Sequence, residues 1–473
     1  MIFPQCEALP LARFDTAPLL YKKRGIIKMD TPIVDFVKSY AESDFSRLHM
    51  PGHKGKGFLG CEKHDITEID GADVLYSADG IIKKSENNAS VLFGTAATFY
   101  STEGSTLCIK AMLSLICKGK EQRPLILAAR NVHKAFIYAG ALLDFDVKWM
   151  YPERADHLCS CILTAEEVEK YILECEKKPD ALYITSPDYL GRVWDIEATG
   201  NICSRHGIPL LVDNAHGAYF AFTEKNMHPI RLGAAMCCDS AHKTLPVLTG
   251  GAYLHISEKA KEFIPFAEEC LSLHASTSPS YLIMQSLDLC NAYLSDGYEK
   301  KLKKTVTRLS ALKNRLTALG LDVKESEPLK LTVSPLSYGY TGRELAGILL
   351  KKGIVCEFSD REFTVMMLTP ENSADDLEKV YEAFSALRKK AAADPPAYIH
   401  LCKGEKQLSL RQAVFAESEV IPISQAEGRI CAAPTVSCPP AVPVTVSGEL
   451  ITKQAVETFR ACGIEKISVV KVK

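Results

Sequence analysis

The chain has 473 residues, 47% hydrophobic and 24% charged, with a formal net charge of −2. That balance is ordinary for a soluble globular protein and gives no drive toward nucleic acid or membrane. No apolar run reaches the ~20 residues of a membrane helix, and length alone predicts about three folded units, or one large unit with smaller ones attached.

The 17 cysteines are scattered, many inside apolar runs (Cys108, Cys117, Cys237, Cys238). This predicts buried free thiols in a reducing cytoplasm. Cys159 and Cys161 form a lone C-x-C without a second pair, so they read as surface or half-buried thiols, and no metal is expected. Residues 1–28 do not read as a secretory signal, because Lys22-Lys23-Arg24 follows the apolar stretch. They read as an extension with little fixed structure, or as the product of a mis-assigned start before Met29.

Thr31-Pro32-Ile33-Val34 opens a short helix with proline at its first position. His49–Gly57 follows, a glycine-rich basic loop that is either simply flexible or faces an anion near a site. From residue 86 onward, helical stretches (86–96, 104–118, 133–142, 164–177, 197–206) alternate with short apolar runs. The runs are Thr98–Ser101, Leu125–Ala129, Val147–Met150, Ala181–Thr185, Leu210–Val212, Ala235–Cys238 and Ala252–Ile256. Alternation of this kind predicts an α/β fold, a seven-stranded mainly parallel sheet with helices on both faces. Residues 260–305 read as helical, with a polar interruption at Thr277–Tyr281. Three further strands are expected at Leu329–Val333, Val355–Phe358 and Thr364–Leu368. The expected organisation is an extension at 1–28, a major domain at 29–300, a small α+β domain at 301–393 and a C-terminal domain at 394–473, with a linker near Ala391–Pro396.

In parallel sheets ligands sit beyond the carboxyl ends of the strands. Five strand ends here deliver polar groups to that edge: Ser105-Thr106, His133, Ser186–Tyr189, Asp213–His216 and Ser240–Lys243. Gly104-Ser105-Thr106 opens a helix and suits either an ordinary cap or an anion seat. Asp213 ends a buried strand and needs a partner, which is a backbone amide, an arginine or a protonated ring nitrogen. His133 is either a plain helix-start histidine or a ring-stacking one. Lys243 is either a solvated loop lysine or a Schiff-base amine. Taken together they describe a pyridoxal 5'-phosphate (PLP) site: Lys243 carries the cofactor, Asp213 meets the ring nitrogen, Ser105, Thr106, Ser240 and His242 bind phosphate, and His133 stacks. The chain lacks G-x-G-x-x-G after its first strand and lacks a P-loop motif, which excludes those nucleotide sites.

The same residues carry a resemblance. His49–Gly55, Ile69–Asp73, Ser101–Thr106, Arg130–Lys134, Ser186–Gly191, Val212–Gly217, Ser240–Thr244 and Thr277–Tyr281 resemble, in order and spacing, the Orn/Lys/Arg decarboxylase family of fold-type I PLP enzymes. The resemblance spans roughly residues 30–470, and the length is similar to the short, arginine-decarboxylase-like bacterial members. It implies an aspartate-aminotransferase-like fold and decarboxylation of arginine, lysine or ornithine. It also implies a homodimer or higher oligomer with shared sites, in which His216 lies near the ring and Ser278 reaches a neighbouring subunit's phosphate. Lys243 or His242 is the expected proton donor. Glu449, then Asp73, is the expected partner of the substrate's distal cation. Two departures stand out: Asn214 replaces the family's usual glutamate, and Pro439–Pro443 with Ser447-Gly448-Glu449 departs from its C-terminal pattern. A transaminase or aldolase on the same fold stays open, with Arg361 available for an α-carboxylate, as does a non-catalytic relative.

Overall fold

The computed structural model describes residues 29–153, 157–393, 403–434 and 442–471. The expected extension at 1–28, Asp394–Pro396 of the linker and Pro439–Ala441 lie outside the described residues.

Seven strands form the central sheet: β1 (Ala97–Ser101), β2 (Leu125–Ala129), β3 (Asp146–Met150), β4 (Ala181–Thr185), β5 (Leu210–Asp213), β6 (Met236–Asp239) and β7 (Ala252–Ile256). Their order across the sheet is β1-β7-β6-β5-β4-β2-β3. Only β7 opposes its neighbours; pairings along the rest are parallel. All six other strands therefore end on one edge. The period-2 side-chain pattern splits the sheet between two cores. Ala128, Tyr183, Leu211, Met236 and Leu254 face one; Leu127, Leu182, Ile184, Val212 and Cys237 face the other.

Helices α1 (Pro32–Glu42), α2 (Ile81–Phe93), α3 (Gly104–Cys117), α4 (Lys134–Leu143), α5 (Ala165–Leu173) and α6 (Ile196–His206) precede or connect the strands. A one-turn helix α7 (Ala241–Thr244) follows β6. The apolar residues Leu107, Met112, Leu115, Phe136 and Ile137 bury α3 and α4 against the first core. Val168, Ile172, Ile202 and Cys203 bury α5 and α6 against the second.

A second, antiparallel sheet has the order β10-β11-β9-β8. It contains β8 (Asp322–Lys324), β9 (Lys330–Ser334), β10 (Phe358–Ser359) and β11 (Thr364–Met367). The strand expected at Val355–Phe358 begins only at Phe358. Val355 is 82% exposed and has no core to join. The C-terminal hairpin β12 (Ser418–Pro422) and β13 (Lys466–Val470) packs Ile421, Ile467 and Val469 into the same core as β4 and β5. This last segment thus shares its hydrophobic core with the large sheet.

Cysteines among the described residues are free, and most are buried. No described helix is long and apolar enough to cross a membrane.

Glu86 on α2 is 3% exposed. Its carboxylate accepts the Tyr100 amide at 2.9 Å and lies 3.6 Å from Lys83. Burial, only partly offset by Lys83, pushes its pKa up to about 8. The folded state then binds this proton more tightly than the unfolded one, so stability falls as pH rises between 4.5 and about 8. Glu86→Gln keeps the carbonyl acceptor and removes the charge. Its melting temperature is expected to decline less than wild type over that interval, as a calorimetric pH series would show.

Candidate active site

The strand ends meet around a cavity of about 320 Å³. Gly104, Ser105, Thr106, His133, Asp213, His216, Ser240, His242 and Lys243 all line it, joined by Asn131, Thr185, Tyr189 and Gly250. The α/β edge rule thus brings together residues spread over nearly 150 positions of chain.

Helix α3 starts at this cavity with no side-chain cap on its first amides. An uncapped helix start presents N–H groups and the positive end of the helix dipole. Ser240 Oγ donates to Ser105 Oγ at 2.8 Å, so both hydroxyls sit at that start. Gly250 runs close beside it: its carbonyl accepts the Gly104 amide at 2.7 Å. A Cβ on Gly250 would stand 2.7 Å from the Thr102 carbonyl, and its φ of +102° also favours glycine.

Asp213 is 3% exposed. Among the described residues its carboxylate accepts from Tyr183 Oη at 3.4 Å, the Ala215 amide at 3.2 Å and Cys238 Sγ at 3.6 Å. His133 caps α4, its Nδ1 accepting the Ala135 amide at 3.2 Å. Burial lowers its pKa, against the opposing pull of Asp213. His242 Nδ1 lies 3.0 Å from the Gly251 carbonyl, and burial lowers its pKa also.

Lys243 Nζ lies 3.0 Å from His216 Nε2. On the other side of that ring, Lys330 Nζ lies 3.1 Å from His216 Nδ1. Burial, with Lys243 and Lys330 beside it, pushes the His216 pKa well below its ordinary value. The Tyr189 ring meets His216 edge-on at 5.0 Å.

Behind the cavity, Asn214 Nδ2 donates to Asp239 Oδ1 at 2.7 Å and ties the ends of β5 and β6 together. Asp239 Oδ2 lies 3.1 Å from His228 Nε2 and 3.3 Å from His255 Nε2. Burial opposes ionisation of Asp239, but the two histidines more than offset it and hold the carboxyl below the usual range. Metal-capable atoms of the three residues lie within 4.8 Å of one another.

The other expected site residues lie elsewhere. Glu449 is buried on Arg130, 3.3 Å from Nη2, and accepts the Val446 amide at 2.8 Å. Asp73 accepts the amides of Val74, Gly80 and Ile82 at 2.8, 2.9 and 2.9 Å, holding the start of α2. Neither residue lines the cavity, and the second oxygen of Glu449, Oε1, is buried without a hydrogen-bond partner. Arg361 and Ser278 are exposed and also outside it. Cys159 and Cys161, expected as surface or half-buried thiols, are 2% and 0% exposed; Cys159 packs with Leu190, Phe358 and Phe363 and lines the cavity, and Cys161 joins the core of the large sheet.

Comparison with known proteins places this geometry. The model of the Orn/Lys/Arg decarboxylase major domain matches residues 31–333, and that of the family's C-terminal domain matches 382–463. The chain belongs to the Orn/Lys/Arg decarboxylase family. It is an amino-acid decarboxylase of fold type I. The arginine decarboxylase of Bacillus anthracis is 29% identical, over 91% of this chain and 92% of its own. The arginine decarboxylase of Bacillus subtilis is 28% identical, over 90% of this chain and 92% of its own. Among solved structures, the lysine decarboxylase of Francisella novicida superposes with a TM-score of 0.77 at 17% identity, over 93% of this chain and 81% of that one. This last likeness speaks to the fold alone.

Proposed function

We propose that the cavity holds PLP and that the chain decarboxylates a basic amino acid (arginine, lysine or ornithine) to the corresponding amine and CO₂. The observation that carries this reading is the convergence of Lys243, Asp213 and the uncapped start of α3 on one cavity.

The residues fit the cofactor on chemical grounds. The phosphate needs amides and hydroxyls, which the α3 start, Ser105, Thr106 and Ser240 provide. The pyridine nitrogen needs a buried carboxylate, and Asp213 is one that lines the cavity. Asn131 Oδ1 and Thr185 Oγ1 are buried without a hydrogen-bond partner, and both residues line the cavity, as expected of groups that face a polar guest.

When bound, PLP supplies the sink for the electron pair left as the α-carboxylate departs. Asp213 stabilises positive charge at the ring nitrogen. His133 and His216 line the cavity and would restrict water around the bound group. Lys243 would hold the cofactor through its aldehyde, and Lys243 or His242 would be the proton donor at Cα. Arg361, the arginine a transaminase would use, is exposed and outside the cavity.

A homodimer with shared sites completes the proposal. Phe45, Leu48, Met50, Phe58 and Leu59 are 70–99% exposed within one short N-terminal stretch, an apolar surface that suits a second copy. In such an assembly Ser278 of one chain would reach the phosphate site of the other.

The test is product analysis. Purified protein with PLP is given arginine, lysine and ornithine separately. Release of CO₂ with agmatine, cadaverine or putrescine is expected from at least one. A keto acid in place of an amine overturns the reading.

A further inference from the structure

The second lysine in the site is not explained by cofactor binding alone. Lys330 opens β9, in the second sheet, yet its side chain is fully buried. Nζ has three close acceptors: the carbonyls of Asp188 at 3.2 Å and Tyr189 at 3.4 Å, and His216 Nδ1 at 3.1 Å. Three is the number of N–H bonds on an ammonium. A counter-charge is also built in. Glu327 Oε1 lies 3.8 Å away, and Glu327 Oε2 is anchored by the Leu329 amide at 2.8 Å and by Tyr219 Oη. Burial lowers the Lys330 pKa, with Glu327 and Asp188 opposing.

An ammonium only donates. Lys330 therefore donates to His216 Nδ1, which must be bare. The neutral imidazole then carries its proton on Nε2. That N–H points at Lys243 Nζ, 3.0 Å away. It has an acceptor there only if Lys243 is an unprotonated amine.

We propose that Lys330 is a positioning residue that, through the tautomer it imposes on His216, holds Lys243 as the unprotonated amine needed for attack on a carbonyl. This rests on the reading of Lys243 as the cofactor-bearing lysine. The sign of the effect survives the rest of the surroundings. Lys330 on β9, and His133 and His242 at the starts of α4 and α7, add no negative charge next to Lys243. Asp213 at the end of β5 favours the ammonium form of Lys243 and so works against the device. Asp188, Glu327 and Glu357 lie on the Lys330 side, where they support its charge; Glu357 is further bonded by Tyr189 Oη at 2.6 Å.

The experiment uses full-length protein stripped of cofactor. Trace acetic anhydride labels amines in their unprotonated form, and peptide mass spectrometry reads the extent at Lys243 across pH. Wild type is expected to label with a midpoint below the ordinary lysine value of about 10.4. Lys330→Met should raise that midpoint by about one unit, roughly tenfold less labelling at neutral pH. Lys330→Arg, which keeps the charge and donors, should return the profile toward wild type. If the methionine variant does not fold, Lys330→Met with Glu327→Gln removes both buried charges together and answers the same question. A Lys243 profile in the folded variant that overlays wild type overturns the proposal, whatever happens to stability or turnover. Failure of the cofactor reading shows separately, as wild-type protein that takes up no PLP absorbance while the labelling shift persists.

Discussion

Lys243→Ala is expected to abolish turnover, by at least about 10³-fold, the scale on which removal of a covalent-catalysis group acts. Stability should change little. The lysine is partly exposed to the cavity and sits in a one-turn helix, so its loss empties space that is already open. Steady-state decarboxylation and a thermal melt, measured together, check both halves. Full activity in the variant would remove Lys243 from the chemistry and with it the whole site.

Arg130→Met should have the largest effect on stability. Arg130 is fully buried at the end of β2. Its guanidinium donates to the carbonyls of Pro443 and Val444, each at 3.1 Å, and to Glu449 at 3.3 Å. It thereby pins the C-terminal segment to the sheet edge that carries the cavity. Removing one partner of a buried pair leaves the other uncompensated, at a cost of about 3–5 kcal/mol. Denaturant unfolding should show that loss for Arg130→Met. Arg130→Met with Glu449→Met should recover much of it, because no charge then remains buried. The same pair decides the role of Glu449. A carboxylate that binds the substrate's distal cation gives, on Glu449→Gln, a raised KM at unchanged stability. A structural one gives the reverse, and the geometry favours the reverse.

These residues also show what the sequence could and could not reveal. All seven strands were legible because each is a short apolar run set between helical patterns, and the strand-end rule then gathered the cavity residues from five separate places. Lys330 was missed although the rule that singled out Lys243 applies to it equally: a lysine between Leu329 and Leu331, in a buried strand. Its role is not legible locally because β9 belongs to the second sheet, and nothing in the sequence near it says that Lys330 reaches His216. Arg130 was read only as part of a motif, since its partners lie more than 300 residues away. Glu449 and Asp73 were assigned to substrate because both sit in motifs that resemble the family's. In the structure Asp73 accepts amides of its own chain, while Glu449 meets Arg130 and the Val446 amide through Oε2 and leaves Oε1 buried without a hydrogen-bond partner. His228, Asp239 and His255 give no local signal: Asp239 and His255 stand on the paired strands β6 and β7, and His228 comes from the chain before β6.

The most direct measurement is to mix the protein with PLP, reduce with borohydride and map the site of attachment by peptide mass spectrometry. The account predicts a single pyridoxyl-lysine, at Lys243. Attachment at another lysine, or none at all in protein that decarboxylates, would contradict it.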